Sequence, residues 1–172
     1  MDRWALVTGA SSGIGLEFSR ILARNGYNLI VAARRRERLE ELAESLQESQ
    51  GVTVEVIPAD LSAQNGPLEL YQAVRSKGIV PEILVNNAGF GDLGAFSEMD
   101  PDRVTGMLQV NCASLALLTR YILPDMVSHG GGRIVNLSSV AAFQPGPFMA
   151  MYYAGKAFVQ SFSEALAEEL AD

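Results

Sequence analysis

Cysteine and histidine are nearly absent: the 172-residue chain has one of each, Cys112 and His129. A single cysteine excludes an internal disulfide and suits a reducing cytoplasm. The apolar, helical sequence around Cys112 makes it read as a buried core residue. A zinc site needs about four clustered thiolate, imidazole or carboxylate ligands, so no metal site is expected. His129 precedes Gly130-Gly131-Gly132 and reads as a helix-end side chain that satisfies free carbonyls. Basic charge is also scarce: 13 Lys and Arg stand against 20 Asp and Glu, a net charge of −7, which argues against a nucleic acid partner. No apolar run approaches the ~20 residues that cross a bilayer, and Met1-Asp2-Arg3 leads directly into strand sequence without a signal-peptide pattern. No membrane partner is expected.

What is present is a compact apolar chain. Hydrophobic residues make up 48% and charged residues 19%, which suits one globular domain over residues 1–172 rather than a disordered tail. Short runs rich in Val, Ile and Leu (Trp4–Thr8, Asn28–Ala33, Val52–Ala59, Ile83–Asn86 and Arg133–Leu137) predict strands buried on both faces. Between them, helices are expected over about Ile14–Asn25, Arg36–Ser49, Pro67–Lys77, Pro101–Ser128 and Tyr152–Ala171. In the second of these, Leu39, Leu42, Ala43 and Leu46 form one apolar stripe. Gly26, Gly51, Gly78 and the glycines at 130–132 fall at helix ends, where left-handed caps are wanted. Alternation of this kind predicts an α/β fold: a doubly wound parallel sheet of about five strands with helices on both faces. Ligands of such sheets sit at the carboxyl ends of the strands.

The first strand-to-helix turn reads Thr8-Gly9-Ala10-Ser11-Ser12-Gly13-Ile14-Gly15. Glycines there let the backbone turn sharply and approach a pyrophosphate, which the free N–H groups and helix dipole then favour. The second strand runs into Ala33 and then Arg34-Arg35-Arg36. An acidic residue at this point would bind a ribose 2′-hydroxyl, whereas guanidinium groups match a 2′-phosphate. A solvated helix start, with Arg36–Glu40 and Arg38–Glu41 pairs, would also use these arginines. Cations at a helix N-terminus oppose the dipole, however, and a bound phosphate compensates them. NADP(H) is therefore expected over NAD(H), with Arg34 and Arg35 as contacts and Arg38 as a helper.

Further along, Asn86-Asn87-Ala88-Gly89 follows the fourth strand and Ser138-Ser139 the fifth, with Tyr152 and Lys156 beyond. Four residues apart on a helix, Tyr152 and Lys156 share one face. An ammonium beside a phenol favours the phenolate, which suits Tyr152 to general acid/base work. Ser139 can hydrogen-bond an oxygen on which charge develops. With these motifs in this order, the chain resembles the short-chain dehydrogenase/reductases. The resemblance implies an oxidoreductase that moves a hydride between NADP(H) and a carbonyl or secondary alcohol. It implies that Tyr152 transfers the proton, that Lys156 perturbs it and binds the nicotinamide ribose, that Ser139 orients the substrate oxygen and that Asn111 holds a proton-relay water. Ser138 is the near alternative to Ser139, and the spacing to Tyr152 selects Ser139. On the cofactor side the resemblance implies Gly9, Ser11, Ser12, Gly13, Ile14, Gly15, Asp60, Leu61, Asn87, Ala88 and Gly89.

Members of that family run longer, adding strands and a substrate-covering segment after the helix at Tyr152. The fifth strand is thus expected to carry an open edge that promotes self-association. A cofactor-binding domain with little or no turnover is the alternative function. Apolar residues of the long fourth helix (Leu115, Leu117, Leu118, Tyr121, Ile122) suit both sheet cover and a homo-oligomer contact. Phe90, Phe143, Pro145, Phe148 and Met149 suit either a hydrophobic substrate wall or packing under a loop, leaving sugar and acyl-carrier substrates open.

Overall fold

Five strands, β1 (Trp4–Thr8), β2 (Asn28–Ala33), β3 (Val54–Pro58), β4 (Ile83–Asn86) and β5 (Arg133–Asn136), alternate with six helices in a computed structural model that describes residues 3–171. The helices are α1 (Gly13–Arg24), α2 (Arg36–Gln50), α3 (Gly66–Ser76), α4 (Pro101–Leu108), α5 (Leu115–Ser128) and α6 (Ala150–Glu169). The strands form one sheet in the order β3-β2-β1-β4-β5, and every neighbouring pair is parallel. The chain winds outward from β1 to β3, then returns to the other side of β1 for β4 and β5. That reversal opens a crevice at the carboxyl ends of β1 and β4, where such sheets hold ligands.

The continuous apolar runs of β1, β2 and β4 are explained by burial on two faces, whereas β5, expected to be buried likewise, lies at the sheet edge without a fully buried residue. Ala5, Val7, Leu29 and Val31 point to one side, against Leu39, Leu42 and Leu46 of α2 and Leu16 and Leu22 of α1. Their neighbours Leu6, Ile30 and Leu84 point to the other, against Leu70 and Val74 of α3 and Leu118, Ile122 and Met126 of α5. Period-two alternation thus places consecutive residues in two separate cores. At the end of α2, Gly51 adopts φ +69°, the left-handed cap expected there.

Two further features depart from expectation. The helix expected over Pro101–Ser128 is broken: α4 gives way to a π-helical turn, Gln109–Ser114, before α5 begins. A π turn admits one extra residue and rotates the flanking faces relative to each other, and such turns cluster at functional sites. Here it directs Asn111 inward, buried to 3% exposure. Cys112 lies in the same turn, so it is half-buried beside Lys156 rather than packed in the core. Second, β3 runs only over Val54–Pro58, shorter than the expected Val52–Ala59, and lies at one edge of the sheet. Remaining boundaries shift by one or two residues, as helix ends do. His129 meets its expectation: its Nδ1 lies 2.8 Å from the Asp125 carbonyl at the end of α5.

Candidate active site

The glycine turn is held from below by one hydroxyl. Thr8 Oγ1 donates to the Val85 carbonyl (3.2 Å) and accepts from the Asn87 and Ala88 N–H groups (3.0 and 3.1 Å). In return the Asn87 amide donates to the carbonyls of Thr8 and Gly9 (2.9 and 3.3 Å). The turn after β1 and the loop after β4 are therefore one bonded unit across the switch point. The turn has no room for side chains at two positions. A Cβ on Gly15 would stand 2.4 Å from the Gly9 carbonyl oxygen, and Gly9 itself has φ +65°. Gly13, also at positive φ, faces open space. Ser12, the residue before α1, makes no side-chain cap, so the first-turn N–H groups are free for an anion.

A cavity of about 550 Å³ runs from this turn across the strand ends. At one end Ala33, Arg34, Arg35, Asp60 and Leu61 line it. Arg35 donates to the Ser11 and Ser12 hydroxyls, both at 3.0 Å, so a guanidinium bridges the helix start and the end of β2. Asp60 is held below the usual carboxylate range, first by the Ser62 hydroxyl and N–H (2.6 and 2.9 Å) and also by the Arg34 charge. Downstream, Arg36–Glu40 and Arg38–Glu41 form the surface pairs of the alternative reading, and Arg38, expected as a helper, lies off the cavity wall. The open turn and the polar lining beyond it fit a dinucleotide.

At the other end the cavity is lined by Asn87, Ala88, Gly89, Phe90, Gly91, Ser138, Tyr152 and Lys156. Lys156 is 9% exposed. Its Nζ donates to the Leu137 carbonyl at 2.5 Å and lies 5.7 Å from the centre of the Tyr152 ring. Burial pushes the Lys156 ammonium below its ordinary value. The Cys112 thiol is pushed up by burial, with the Lys156 charge opposing. A second bonded series fixes this end. The Asn86 amide donates to Thr119 Oγ1 and Asn136 Oδ1, both at 2.9 Å, and Asn136 donates to Ser163 Oγ at 2.9 Å. Strands β4 and β5 and helices α5 and α6 thereby share one polar line, buried at Asn86 and Thr119 and half-buried at Asn136 and Ser163.

The cavity thus gathers most of the residues singled out in the sequence. Of those the resemblance implies, four are not on its wall: Gly13 and Gly15 shape the turn behind it, and Ser139 and Asn111 are engaged elsewhere. Ser138, not Ser139, lines the wall, and Ser139 Oγ accepts from the Ala141 N–H at 3.1 Å, capping a short 3₁₀ turn at Val140–Phe143. Asn111 has both ends of its amide on one backbone: Oδ1 accepts from the Phe90 N–H (3.0 Å) and Nδ2 donates to the Phe90 carbonyl (2.7 Å). Its side chain clamps the loop after β4. Tyr153 packs against Gly146, outside the cavity. Sequence reasoning missed Thr8, Asn136 and Gly91. The only signal was polar or glycine residues at strand ends, which ordinary turns also use.

Comparison with known proteins gives a consistent result. The family model described as short chain dehydrogenase matches residues 3–172. Human 17-beta-hydroxysteroid dehydrogenase type 3 is 37% identical over 98% of this chain and 54% of its own length. The chain therefore spans about half the length of such curated relatives. Among solved structures, a bulky-bulky ketone specific alcohol dehydrogenase from Comamonas testosteroni superposes with TM-score 0.92 at 38% identity, over 98% of this chain and 67% of that one. A short-chain dehydrogenase from Sphingobium yanoikuyae in complex with NADPH gives TM-score 0.92 at 36% identity, over 98% and 66%.

Proposed function

The chain belongs to the short-chain dehydrogenase family, and on that premise we propose that it carries the NADP(H) site and acid/base site of a reductase acting on carbonyls with apolar substituents. The observation that carries this reading is the single cavity that joins the arginine end to Tyr152 and Lys156. In this reading the free N–H groups of the glycine turn receive the pyrophosphate, and Arg34 and Arg35 receive the 2′-phosphate. Asp60 and Leu61 border the adenine, while Asn87, Ala88 and Gly89 line the nicotinamide side. The cofactor supplies a hydride.

The protein supplies the proton and the orientation. Tyr152 gives its phenolic proton to the carbonyl oxygen, or takes one from the alcohol in reverse. Lys156 steadies the ionised phenol and meets the nicotinamide ribose. Ser139, whose Oγ accepts from the Ala141 N–H, offers its own O–H to the substrate oxygen, and Asn111 holds a relay water from the π turn, where it also clamps the Phe90 backbone. Exposed Leu93, Val140, Phe143 and Phe148 on the loops after β4 and β5 offer apolar surface to the substituents of the ketone. Phe148 stands at φ +62°, a costly backbone for an aromatic residue and of the kind kept at ligand sites. A homo-oligomer in a reducing cytoplasm completes the reading, supported by the free thiol of Cys112, the edge position of β5 and exposed Leu108, Leu117 and Phe158.

Replacement of the proton donor tests it. Tyr152→Phe should lower NADPH-dependent reduction of a bulky aryl ketone by about a hundredfold or more, with NADPH affinity nearly unchanged. Equal turnover by Tyr152→Phe and wild type would refute the proton role. NADPH binding without turnover in the wild type would favour the rival reading, a dinucleotide-binding domain lacking catalysis.

A further inference from the structure

The loop after β4 touches the ring of Tyr152. A Cβ on Gly91 would stand 2.7 Å from Tyr152 Cδ2 and 2.9 Å from Cγ, so the backbone there already lies against the aromatic ring. Next to it, Asp92 meets Arg103 of α4 in a paired contact: Nε to Oδ2 and Nη2 to Oδ1, each 2.7 Å. The same guanidinium lies over the Phe90 ring, 4.6 Å from its centre. Phe90 is the residue whose backbone Asn111 clamps, and the Gly94 N–H donates to the Phe148 carbonyl at 2.8 Å. Residues 90–94 are thus fixed from three directions, by the π turn, by α4 and by the segment that leads into α6.

We propose that Arg103 and Asp92 are positioning residues: their ion pair, with Arg103 stacked on Phe90, presses the loop at Gly91 against Tyr152 and sets the ring's orientation for proton transfer. The inference rests on the reading of Tyr152 as the proton donor. Neither side chain lines the cavity. Both are partly exposed, at 53% and 29%, and exposed pairs contribute little to global stability. Yet this one has the two-pronged geometry that makes an arginine pair directional. A residue that matters for orientation but little for stability leaves a distinctive pattern.

The test labels the chain with 3-fluorotyrosine and assigns the Tyr152 ¹⁹F resonance by its loss in Tyr152→Phe. Arg103→Ala and Asp92→Ala should each shift or broaden that resonance. They should leave Tm and NADPH affinity close to wild type, and lower kcat for a bulky aryl ketone by about tenfold to a hundredfold, the scale on which small misplacements act. Arg103→Lys, which keeps the cation but lacks the paired N–H geometry, should show a smaller change of the same sign. Gly91→Ala, which forces a Cβ into the ring, should move the resonance most. Lys77→Ala removes another partly exposed ion pair, Lys77–Glu55, and should move neither signal nor kcat. An unmoved Tyr152 resonance in folded Arg103→Ala, or an equal response to Lys77→Ala, would overturn the proposal. A wild type that turns over no ketone, with the resonance still responding to Arg103→Ala, would sink the reductase reading and leave the positioning contact standing.

Discussion

Lys156 carries two opposed demands. Its side chain, projecting from α6, is buried, and the ammonium has one carbonyl partner at 2.5 Å, so burial lowers its pKa from the ordinary 10.5. The sign of the stability effect follows from proton counting. Between the depressed folded value and 10.5 the unfolded chain binds more protons than the native one, so stability rises with pH through that window. Below it the ammonium is charged in both states and its burial opposes folding. Lys156→Met removes this dependence. The Tm advantage of Lys156→Met over wild type should therefore be largest near neutral pH and shrink as pH rises toward 10.5. A difference that stays constant or grows over that range would contradict the buried, partly satisfied ammonium.

At the scale of elements, the site is held by polar bonds that tie strand ends to helices. Asn86 is 4% exposed and its amide serves both Thr119 and Asn136. Asn86→Leu leaves Thr119 Oγ1 and Asn136 Oδ1 without their donor, and an unsatisfied buried polar group costs about 1–3 kcal/mol. The midpoint of urea unfolding should fall accordingly with the slope unchanged; an unaltered midpoint would show that the polar line is not stabilising. These same elements mark what the sequence could and could not tell. Apolar runs such as Leu6–Val7 and Leu29–Ala32 announce strands because only two-sided burial needs unbroken Val, Ile and Leu. The glycine turn and the Tyr152–Lys156 spacing are local, and local spacing survives folding unchanged. The π turn at Gln109–Ser114 is not local in that sense, since no residue in Gln-Val-Asn-Cys-Ala-Ser forbids a regular helix. It is selected by the Asn111–Phe90 contact, which only the assembled fold supplies. Ser139 was legible as a strand-end serine, but that its hydroxyl caps the turn at Val140–Phe143 follows from the path of the backbone beyond it, which no local spacing announces.

For the whole molecule, charge and topology act together. The chain is acidic at −7, yet Arg34 and Arg35 stand exposed at one end of the cavity, a local cationic spot that an anionic ligand would find against an unfavourable net field. No helix among the described residues is long and apolar enough to cross a membrane. Among the described residues β3 and β5 form the two edges of the sheet, and β5, with no fully buried residue, is less covered than β3. The proposed dinucleotide site rests mainly on β1, β2 and β4, the buried centre of the sheet. Binding should thus be the most robust property of the chain and the first to measure. Fluorescence titration of the 172-residue chain with NADPH and with NADH tests the central claim directly. Charge-assisted bonds of about 1.5–3 kcal/mol to the 2′-phosphate should make NADPH bind tighter by about tenfold or more, and Arg34→Ala with Arg35→Ala should erase the difference. Equal affinity for the two dinucleotides, or binding of neither, would contradict it.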